Sequence, residues 1–258
     1  MNVVSHRFTI LGLDPDSGWE YAFGGKIIPM HEASITESRK NLYKKNKTTL
    51  EVAYQNPEVM NIFNRNAFLT KQVHGNSVYT LEDDLITAEK VSQIEADAII
   101  TNLPKKPIVV LTADCVPILL SDPNKKVVGA VHAGRRGTAL GVLTETVDLM
   151  KKRYGIEVRF LRAAIGPSIG PCCYDVGEEC AKEFTKYQNG WNRWTKRGEN
   201  GKFLLDLISA NRDQALNLGL HEKNIFVSGH CTACRNDLFY SWRREKTFNR
   251  NVTVAMLR

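Results

Sequence analysis

Two apolar segments on either side of a short polar break most constrain the fold of this 258-residue chain. Residues 107–120 read PIVVLTADCVPILL, with aliphatic and β-branched side chains before and after the break. Apolar runs of this kind, rich in β-branched and aliphatic residues, are typical of buried strands. The pattern therefore predicts a strand, a turn and a second strand, and the turn carries Asp114 and Cys115.

A third buried strand and a helix follow. Residues 126–131 read KVVGAV after an Asp-Pro-Asn turn, which places His132 at the carboxyl end of the strand. Beyond Gly137 the apolar residues recur every three or four positions, which is typical of one face of a helix, and Gly155 provides its end. The residues on this face are Leu140, Leu143, Val147, Met150 and Tyr154.

The remainder of the chain mixes strands and helices. We expect a strand over 163–165, helices over 176–187 and about 203–218, and two late strands in NIFVSG and VTVAML. Strict alternation of strand and helix is missing, which favours an α+β fold over a doubly wound α/β sheet. No Pro-, Gly- or Ser-rich linker divides the chain, so we expect one domain over 1–258 with polar edges at 44–66 and 188–201.

Charge and targeting signals narrow the expected partners and location. The net charge is +7, yet the basic residues are scattered in short clusters at 44–47, 151–153 and 243–244. Such scattering predicts a solvated basic surface and no nucleic-acid partner. Neither a secretory signal nor a bilayer-spanning apolar segment is recognisable, so we expect a cytoplasmic protein with no membrane partner.

Three potential ligands for a soft metal lie at the edges of predicted strands. They are His74 in QVHG, Cys115 in TADC and His132 in VHAG. Two imidazoles and one thiolate suit Zn²⁺ and leave a fourth position for water or substrate, which is typical of a catalytic site. The spacing contains no compact metal motif, so histidines that are satisfied within the core remain the alternative.

The same residues permit a second chemistry without a metal. Cys115 with His132 would form a dyad in which the imidazolium stabilises a nucleophilic thiolate, as in cysteine hydrolases and deamidases. Copper is disfavoured, because a multicopper centre needs many more histidines than the six in this chain.

Four further cysteines occur in two short clusters. Cys231 and Cys234 form a C-x-x-C, and Cys172 and Cys173 are adjacent. No second C-x-x-C of matching spacing exists, and the adjacent pair is a poor substitute for one. Buried or loop thiols are therefore the expectation, with a redox or structural-zinc role as the alternative.

Six motifs in a fixed order resemble the YfiH/YlmD family. They are QVHG, EADAIIT, TADCVPILL, VHAGRRG, AAIGPSIGPCCYDV, and CT followed by SWRRE, and they cover about 71–244. Members of this family have been called multicopper polyphenol oxidoreductases, or laccases, and purine nucleoside phosphorylases. The resemblance implies zinc on His74, Cys115 and His132. It also implies an α+β fold layered α/β/β/α with mixed sheets, similar to CNF-type cysteine hydrolases.

The resemblance further implies a zinc-dependent phosphorylase. It would split adenosine, inosine, guanosine or methylthioadenosine into base and ribose 1-phosphate, and would also deaminate adenosine. The partners would be a small purine nucleoside and phosphate, and the chain would act as a monomer or homodimer.

Individual roles follow from matching motif positions. Asp114 would orient a ligand or carry a proton, and Arg136 and Arg243 would hold phosphate, although both also suit an ordinary surface position. The expected catalytic residues are thus Cys115, Asp114 and Arg136. The expected substrate-binding residues are Arg243, Tyr174 and Asp97.

Several positions depart from the family pattern. Arg135 stands where a tryptophan is usual, Trp242 where a tyrosine is usual, and Asn249 where a glycine precedes Arg250. The region of about 1–66 diverges most, because the usual arginine-GGVS stretch is unrecognisable although Gly24 and the next glycine remain. The ligands are intact while substrate-contacting elements differ, so a zinc-binding paralogue without turnover is a further alternative.

Overall fold

The computed structural model describes residues 67–187, 190–198 and 201–257, together with the backbone of two short strands, Phe8–Thr9 and Trp19–Gly24. Most of the divergent region at about 1–66 therefore lies outside the described residues. The strands are β1 (Phe8–Thr9), β2 (Trp19–Gly24), β3 (Val78–Leu81), β4 (Ala98–Thr101), β5 (Ile108–Thr112), β6 (Val116–Asp122), β7 (Val127–Ala133), β8 (Arg162–Ile165), β9 (Asp175–Val176), β10 (Thr195–Arg197), β11 (Phe203–Leu205), β12 (Ile225–Val227) and β13 (Asn251–Leu257).

Short helices connect these strands, and two longer ones cover a sheet face. The α-helices are α1 (Ala88–Val91), α2 (Arg135–Leu140), α3 (Val142–Tyr154), α4 (Gly190–Trp194), α5 (Leu207–Asn217) and α6 (Trp242–Glu245). The 3₁₀-helices are Val158–Phe160, Glu178–Phe184 and Glu222–Asn224. No helix in the described part of the chain is long and apolar enough to cross a membrane.

A six-stranded mixed sheet forms the centre, in the order β12-β8-β6-β7-β4-β3. Alternate side chains of β6 point to opposite faces, so Ile118 and Leu120 join one apolar core and Leu119 joins another. The first core lies under α3 and α5, and the second includes Ile108 of β5 and Ala255 of β13. The central sheet is thus buried on both faces, which explains the continuous apolar runs of its strands.

The polar break in the sequence is the crossing point between two sheets. β5 belongs to a four-stranded sheet in the order β1-β2-β13-β5, whereas β6 belongs to the central sheet. The residues between them, Ala113–Cys115 in sequence, therefore pass from one layer to the next. The site described below is built at this crossing.

The predicted β5, β6, β7, β8, β12 and β13 are confirmed, and the helix through Met150 ends at Gly155, whose φ of 62° is left-handed. The helix expected over 176–187 is wrong. That segment contains the end of β9 and a 3₁₀-helix in which Cys180 and Phe184 are the buried residues, and Gly177 provides no side-chain cap. Two buried residues give too narrow an apolar face for a packed α-helix.

The helix expected over about 203–218 begins later than predicted. Phe203–Leu205 is strand β11, which pairs with β10 and β9. The helix starts at Leu207 because the Asp206 carboxylate accepts a hydrogen bond from the Ser209 N–H and caps it.

Candidate metal centre

The turn that carries Cys115 has an unusual backbone. Asp114 has a φ of 90°, which is rare for a residue with a side chain. Its carbonyl accepts the Ile169 N–H at 2.9 Å, so the conformation is held from the neighbouring loop. Strain of this kind costs about 1–3 kcal/mol and is commonly found where a side chain must be aimed. Here the residue concerned immediately precedes Cys115, the thiol of the site.

His74 lies on a loop that is fixed at both ends. The Gln72 side chain donates to and accepts from the backbone of Leu111 on β5, at 2.8 Å in each direction. The Asp97 carboxylate then accepts the backbone N–H groups of His74 at 2.9 Å and Gly75 at 2.7 Å. His74 itself has a left-handed φ of 60°. The QVHG motif is thus a clamp that presents one imidazole.

His132 comes from β7, where it pairs in register with Pro117 of β6. Its Nδ1 lies 2.7 Å from Oδ1 of Asp97, which is fully buried. A histidine that binds metal through one ring nitrogen commonly donates its other N–H to a carboxylate, and this fixes the tautomer. The Asp97 contact therefore leaves Nε2 of His132 as the free ligand atom.

His74, Cys115 and His132 meet as one cluster, the His-Cys-His group. Their ligand atoms lie within 4.8 Å of one another, and Cys115 Sγ is 3.7 Å from His74 Nε2. The two imidazoles meet edge to face with ring centroids 4.8 Å apart. His132 is buried while His74 is exposed, so the group opens to solvent on one side. The His-Cys-His group could hold a metal ion.

Gly134 allows the three ligands to approach. A Cβ at this position would lie 2.9 Å from Cδ2 of His74 and 3.0 Å from Sγ of Cys115. The first distance is an overlap and the second is tighter than most real contacts, so the ligand side chains would have to shift. The absence of a side chain at the glycine of VHAG is therefore a requirement of the His-Cys-His group.

The electrostatics of the group favour an anionic sulfur. Burial raises the pKa of the Cys115 thiol, but His132 and His74 outweigh this effect and lower the pKa to about 6. Burial lowers the pKa of His132, while Cys115 and Asp97 raise it, to about 9. Without a metal the pair is a thiolate and an imidazolium at neutral pH.

Asp114 is committed to structural contacts. Its Oδ1 accepts from the Thr232 hydroxyl at 2.7 Å, and its Oδ2 accepts from the Arg243 backbone N–H at 2.6 Å. The side chain is also buried. Asp114 therefore connects the turn that carries Cys115 to the loop around Thr232 and to the start of α6. These contacts fit the predicted orienting role better than the proton-carrying one.

Tyr174 and Arg243 form one wall beside the site. The Arg243 guanidinium pairs with Oδ1 of Asp175 at 2.7 Å and lies over the Tyr174 ring, 5.2 Å from its centroid. Burial raises the pKa of Tyr174, and Cys115 raises it further while Arg135 and Arg243 lower it, so this phenol lies within electrostatic reach of the ligand sulfur. The structure thus brings these predicted residues to the site.

Two other predicted residues lie elsewhere than their expected roles require. Asp97 is fully buried and contacts the backbone N–H of His74 and the ring of His132. It therefore positions the two metal-ligating histidines and does not face substrate. Arg136 is exposed on α2 and takes part in no ion pair within the described residues. Its neighbour Arg135 is instead half-buried and paired with Glu183.

Arg250 is the cation that the sequence reasoning missed. Burial lowers its pKa, whereas Cys115 and Asp114 raise it, so the guanidinium is within electrostatic reach of the metal-ligand turn. Its Nη1 donates to the carbonyls of Thr247 and Asn249, both at 2.9 Å. In the sequence Arg250 is simply the residue before a strand; only the pairing of β13 with β5 places it here.

The four remaining cysteines of the two short clusters also come together. The sulfurs of Cys172, Cys173, Cys231 and Cys234 lie within 4.8 Å of one another. The expectation that the adjacent pair does not complement the C-x-x-C is therefore wrong. Sequence spacing gave no signal, because about sixty residues separate the two clusters.

Comparison with known proteins agrees with this architecture. Residues 41–258 match the family described as multi-copper polyphenol oxidoreductase laccase, and the chain belongs to this family. The crystal structure of the Bacillus licheniformis hypothetical protein YfiH superposes with a TM-score of 0.74 at 27% identity, covering 93% of both chains. The predicted mixed α+β fold of the YfiH type is confirmed.

Relatives with named activities are similar over about two thirds of the chain or more. The purine nucleoside phosphorylase YfiH of Shigella flexneri is 35% identical over 188 residues, which is 72% of each chain. The adenosine deaminase RL5, from an unknown prokaryotic organism, is 36% identical over 182 residues, 68% of this chain and 69% of that protein. The chain spans 66–72% of the length of such curated relatives. These names support an enzyme of this family.

Proposed function

We propose that this protein is a zinc-dependent purine nucleoside phosphorylase that also deaminates adenosine. Its substrates would be adenosine, inosine, guanosine and methylthioadenosine, and its products free base and ribose 1-phosphate. The relatives named for phosphorolysis and for adenosine deamination support the proposal. The observation that carries it is the convergence of two imidazoles on one thiolate in the His-Cys-His group.

The donor set fits zinc. Two imidazole nitrogens and one sulfur suit a borderline-soft cation, and three protein ligands leave one position open. The exposed side of His74 gives that position access to solvent. When bound, zinc would supply Lewis-acid polarisation at the reacting centre. Asp97 would hold His132 in the tautomer that a metal needs.

Phosphorolysis requires a cationic place for phosphate beside the sugar. Arg243 is held by Asp175 and the Tyr174 ring while about a third of its side chain stays exposed. Arg250 is a second cation within electrostatic reach of Cys115 and Asp114. We assign phosphate binding to Arg243 together with Arg250. Arg136 is exposed and would attract the anion only from the edge of the site.

A metal-free cysteine hydrolase is the second candidate. Cys115, His132 and Asp97 form a thiolate, an imidazolium and an orienting carboxylate, which is the arrangement of a nucleophilic triad. This candidate explains only one of the two imidazoles, because a triad has no use for His74 at 3.7 Å from the sulfur. A metal explains both.

The test is product analysis with zinc-loaded protein. Adenosine and inosine are each incubated with and without phosphate, and bases and nucleosides are separated by chromatography. We expect hypoxanthine from inosine only with phosphate, and inosine from adenosine without it. Lack of any product above a Cys115→Ala control contradicts the proposal. Hydrolase activity that survives removal of all metal supports the second candidate instead.

Arg243→Gln separates the two reactions within one protein. Losing a charged hydrogen bond to phosphate, worth about 1.5–3 kcal/mol, is expected to lower phosphorolysis by about 10–100-fold. Deamination needs no phosphate and should change much less. Arg212→Gln, which removes a surface ion pair with Glu222, is the matched control. Equal loss of both reactions would show that Arg243 acts only through the fold.

The proposal includes a cytoplasmic location and one domain over 1–258. All six cysteines are free thiols, which suits a reducing compartment.

A further inference from the structure

A second cluster of metal-ligating side chains lies outside the His-Cys-His group. The four-cysteine group comprises Cys172, Cys173, Cys231 and Cys234, whose sulfurs all lie within 4.8 Å of one another. Sγ of Cys234 is 3.5 Å from that of Cys172 and 3.4 Å from that of Cys173. Four sulfurs bound tetrahedrally to zinc at about 2.3 Å lie about 3.8 Å apart. The spacing of the group is close to that tetrahedron.

We propose that the four-cysteine group binds a second zinc ion, in a closed structural site with four thiolate ligands. Sulfurs at 3.4–3.5 Å are too far apart for a disulfide of about 2.05 Å, and Cys234 is equally close to two partners. An iron–sulfur cluster would spread the sulfurs wider, because several irons and sulfides lie between them.

Two backbone turns present the sulfurs in pairs. The Cys173 N–H donates to the Gly170 carbonyl at 3.0 Å, and the Arg235 N–H donates to the Cys231 carbonyl at 3.0 Å. The Gly170 N–H also donates to Sγ of Cys231 at 3.2 Å. The first two bonds close the turns, and the Gly170 N–H would compensate the charge of the Cys231 thiolate and help to fix its direction. The group is therefore built as a site, with support behind the ligands.

Backbone pairing joins the two turns before any metal binds. Ser168 and Cys231 form a parallel bridge, in which the Ser168 N–H donates to the His230 carbonyl at 3.2 Å and the Thr232 N–H to the Ser168 carbonyl at 3.0 Å. One turn continues into Tyr174, and the other holds Thr232 against Asp114. A bound ion would thus brace the two segments that form the wall of the His-Cys-His group.

The proposal predicts the metal content of the full chain. Protein purified under reducing conditions with zinc is analysed by elemental mass spectrometry. We expect two zinc ions per chain in the wild type, one in Cys115→Ser and one in Cys234→Ser. Cys180→Ser, which removes a buried cysteine outside both groups, should keep two. One ion in the wild type that disappears in Cys115→Ser overturns the proposal and leaves the proposed function intact.

Cobalt identifies the ligands without relying on a variant of the four-cysteine group. Cys115→Ser loaded with Co²⁺ should show tetrahedral visible bands and a sulfur-to-cobalt charge-transfer band about four times as intense as one thiolate gives. As a second check, adding Cys234→His to Cys115→Ser should keep the ion and lose about a quarter of that band. Absence of the band in folded Cys115→Ser contradicts the proposal. So does an unreduced intact mass lower by two or four hydrogens, which would indicate disulfides.

Discussion

The His-Cys-His group and the four-cysteine group both use thiols, but their surroundings differ. Cys115 lies between two imidazoles that lower its pKa to about 6. Cys172 is exposed as a residue, but partial desolvation of its sulfur and its hydrogen bond with Cys234 raise the pKa of this thiol to about 11. One protein thus holds one thiol as an anion before any ligand arrives and another as a neutral group.

The difference separates a site for chemistry from a site for structure. In the His-Cys-His group the charge, the strained backbone at His74 and Asp114 and the opening to solvent are already present. In the four-cysteine group the thiols must lose protons as the ion binds, so binding is coupled to pH and to local folding. An open three-ligand set suits catalysis, and a closed four-thiolate set suits bracing.

The largest effect is expected from removing a ligand of the His-Cys-His group. His132→Ala and Cys115→Ala should each lower activity by more than about 100-fold, since loss of only a supporting partner already costs 10–100-fold. Activity and metal content are measured together. If activity persists when the His-Cys-His group holds no metal, this group is not the catalytic one and the contrast between a catalytic and a structural site is contradicted.

Asp97→Asn tests the support behind His132. The amide is nearly isosteric but loses the charge and one acceptor facing the Gly75 and His74 N–H groups. We expect zinc affinity of the His-Cys-His group to fall by about 10–100-fold, with the four-cysteine group unchanged. Asp213→Asn is the matched control, because that buried carboxylate accepts the Trp194 indole N–H at 2.7 Å elsewhere in the fold. Equal losses in both variants would indicate a general effect on folding.

Gly134→Ala tests how closely the ligands are packed. The new methyl group would press on His74 and Cys115 at 2.9–3.0 Å, so both must shift by tenths of an ångström. We expect about a tenfold loss of activity, because small misplacements of reacting groups are costly. Gly198→Ala is the control, since its Cβ would make ordinary contacts at 3.4 Å or longer. Wild-type activity in Gly134→Ala would contradict the geometry of the group.

Much of the fold and the ligand set could be predicted from local pattern. The apolar runs around the polar break specify β5, β6 and β7, because a strand buried on both faces has few alternatives. Position at strand ends marked Cys115 and His132 as site residues. The spacing of these residues does not distinguish a metal site from histidines that are satisfied within the core. The ordered family motifs are needed to favour the metal site.

The remaining parts of the site depend on long-range pairing that no local pattern encodes. Arg250 reaches the turn because Asn251 pairs with Thr112 across β13 and β5. The four-cysteine group depends on the bridge between Ser168 and Cys231. Register between distant segments follows from tertiary packing, so neither contact has a sequence spacing to read.

The smallest predicted difference concerns thiol reactivity in metal-free protein. The pKa values of Cys115 and Cys172 are about 6 and about 11. At pH 8 Cys115 is therefore almost wholly ionised, whereas about one part in a thousand of Cys172 is thiolate. Thiolates of lower pKa are weaker nucleophiles. With a Brønsted slope of about 0.4–0.5, the thiolate of Cys115 is intrinsically about 100–300-fold less reactive than that of Cys172. Cys115 should therefore react only about 3–10-fold faster with a disulfide reagent.

The pH dependence distinguishes the two thiols more clearly than their rates at one pH. Between pH 7 and 9 the Cys115 rate should stay nearly constant, because this thiol is already ionised above its pKa of about 6. The Cys172 rate should rise about tenfold per pH unit, since its pKa of about 11 lies above the range. Peptide mapping by mass spectrometry after timed quenching follows both residues in one sample. Parallel slopes for the two would show that the imidazoles do not set the charge of Cys115.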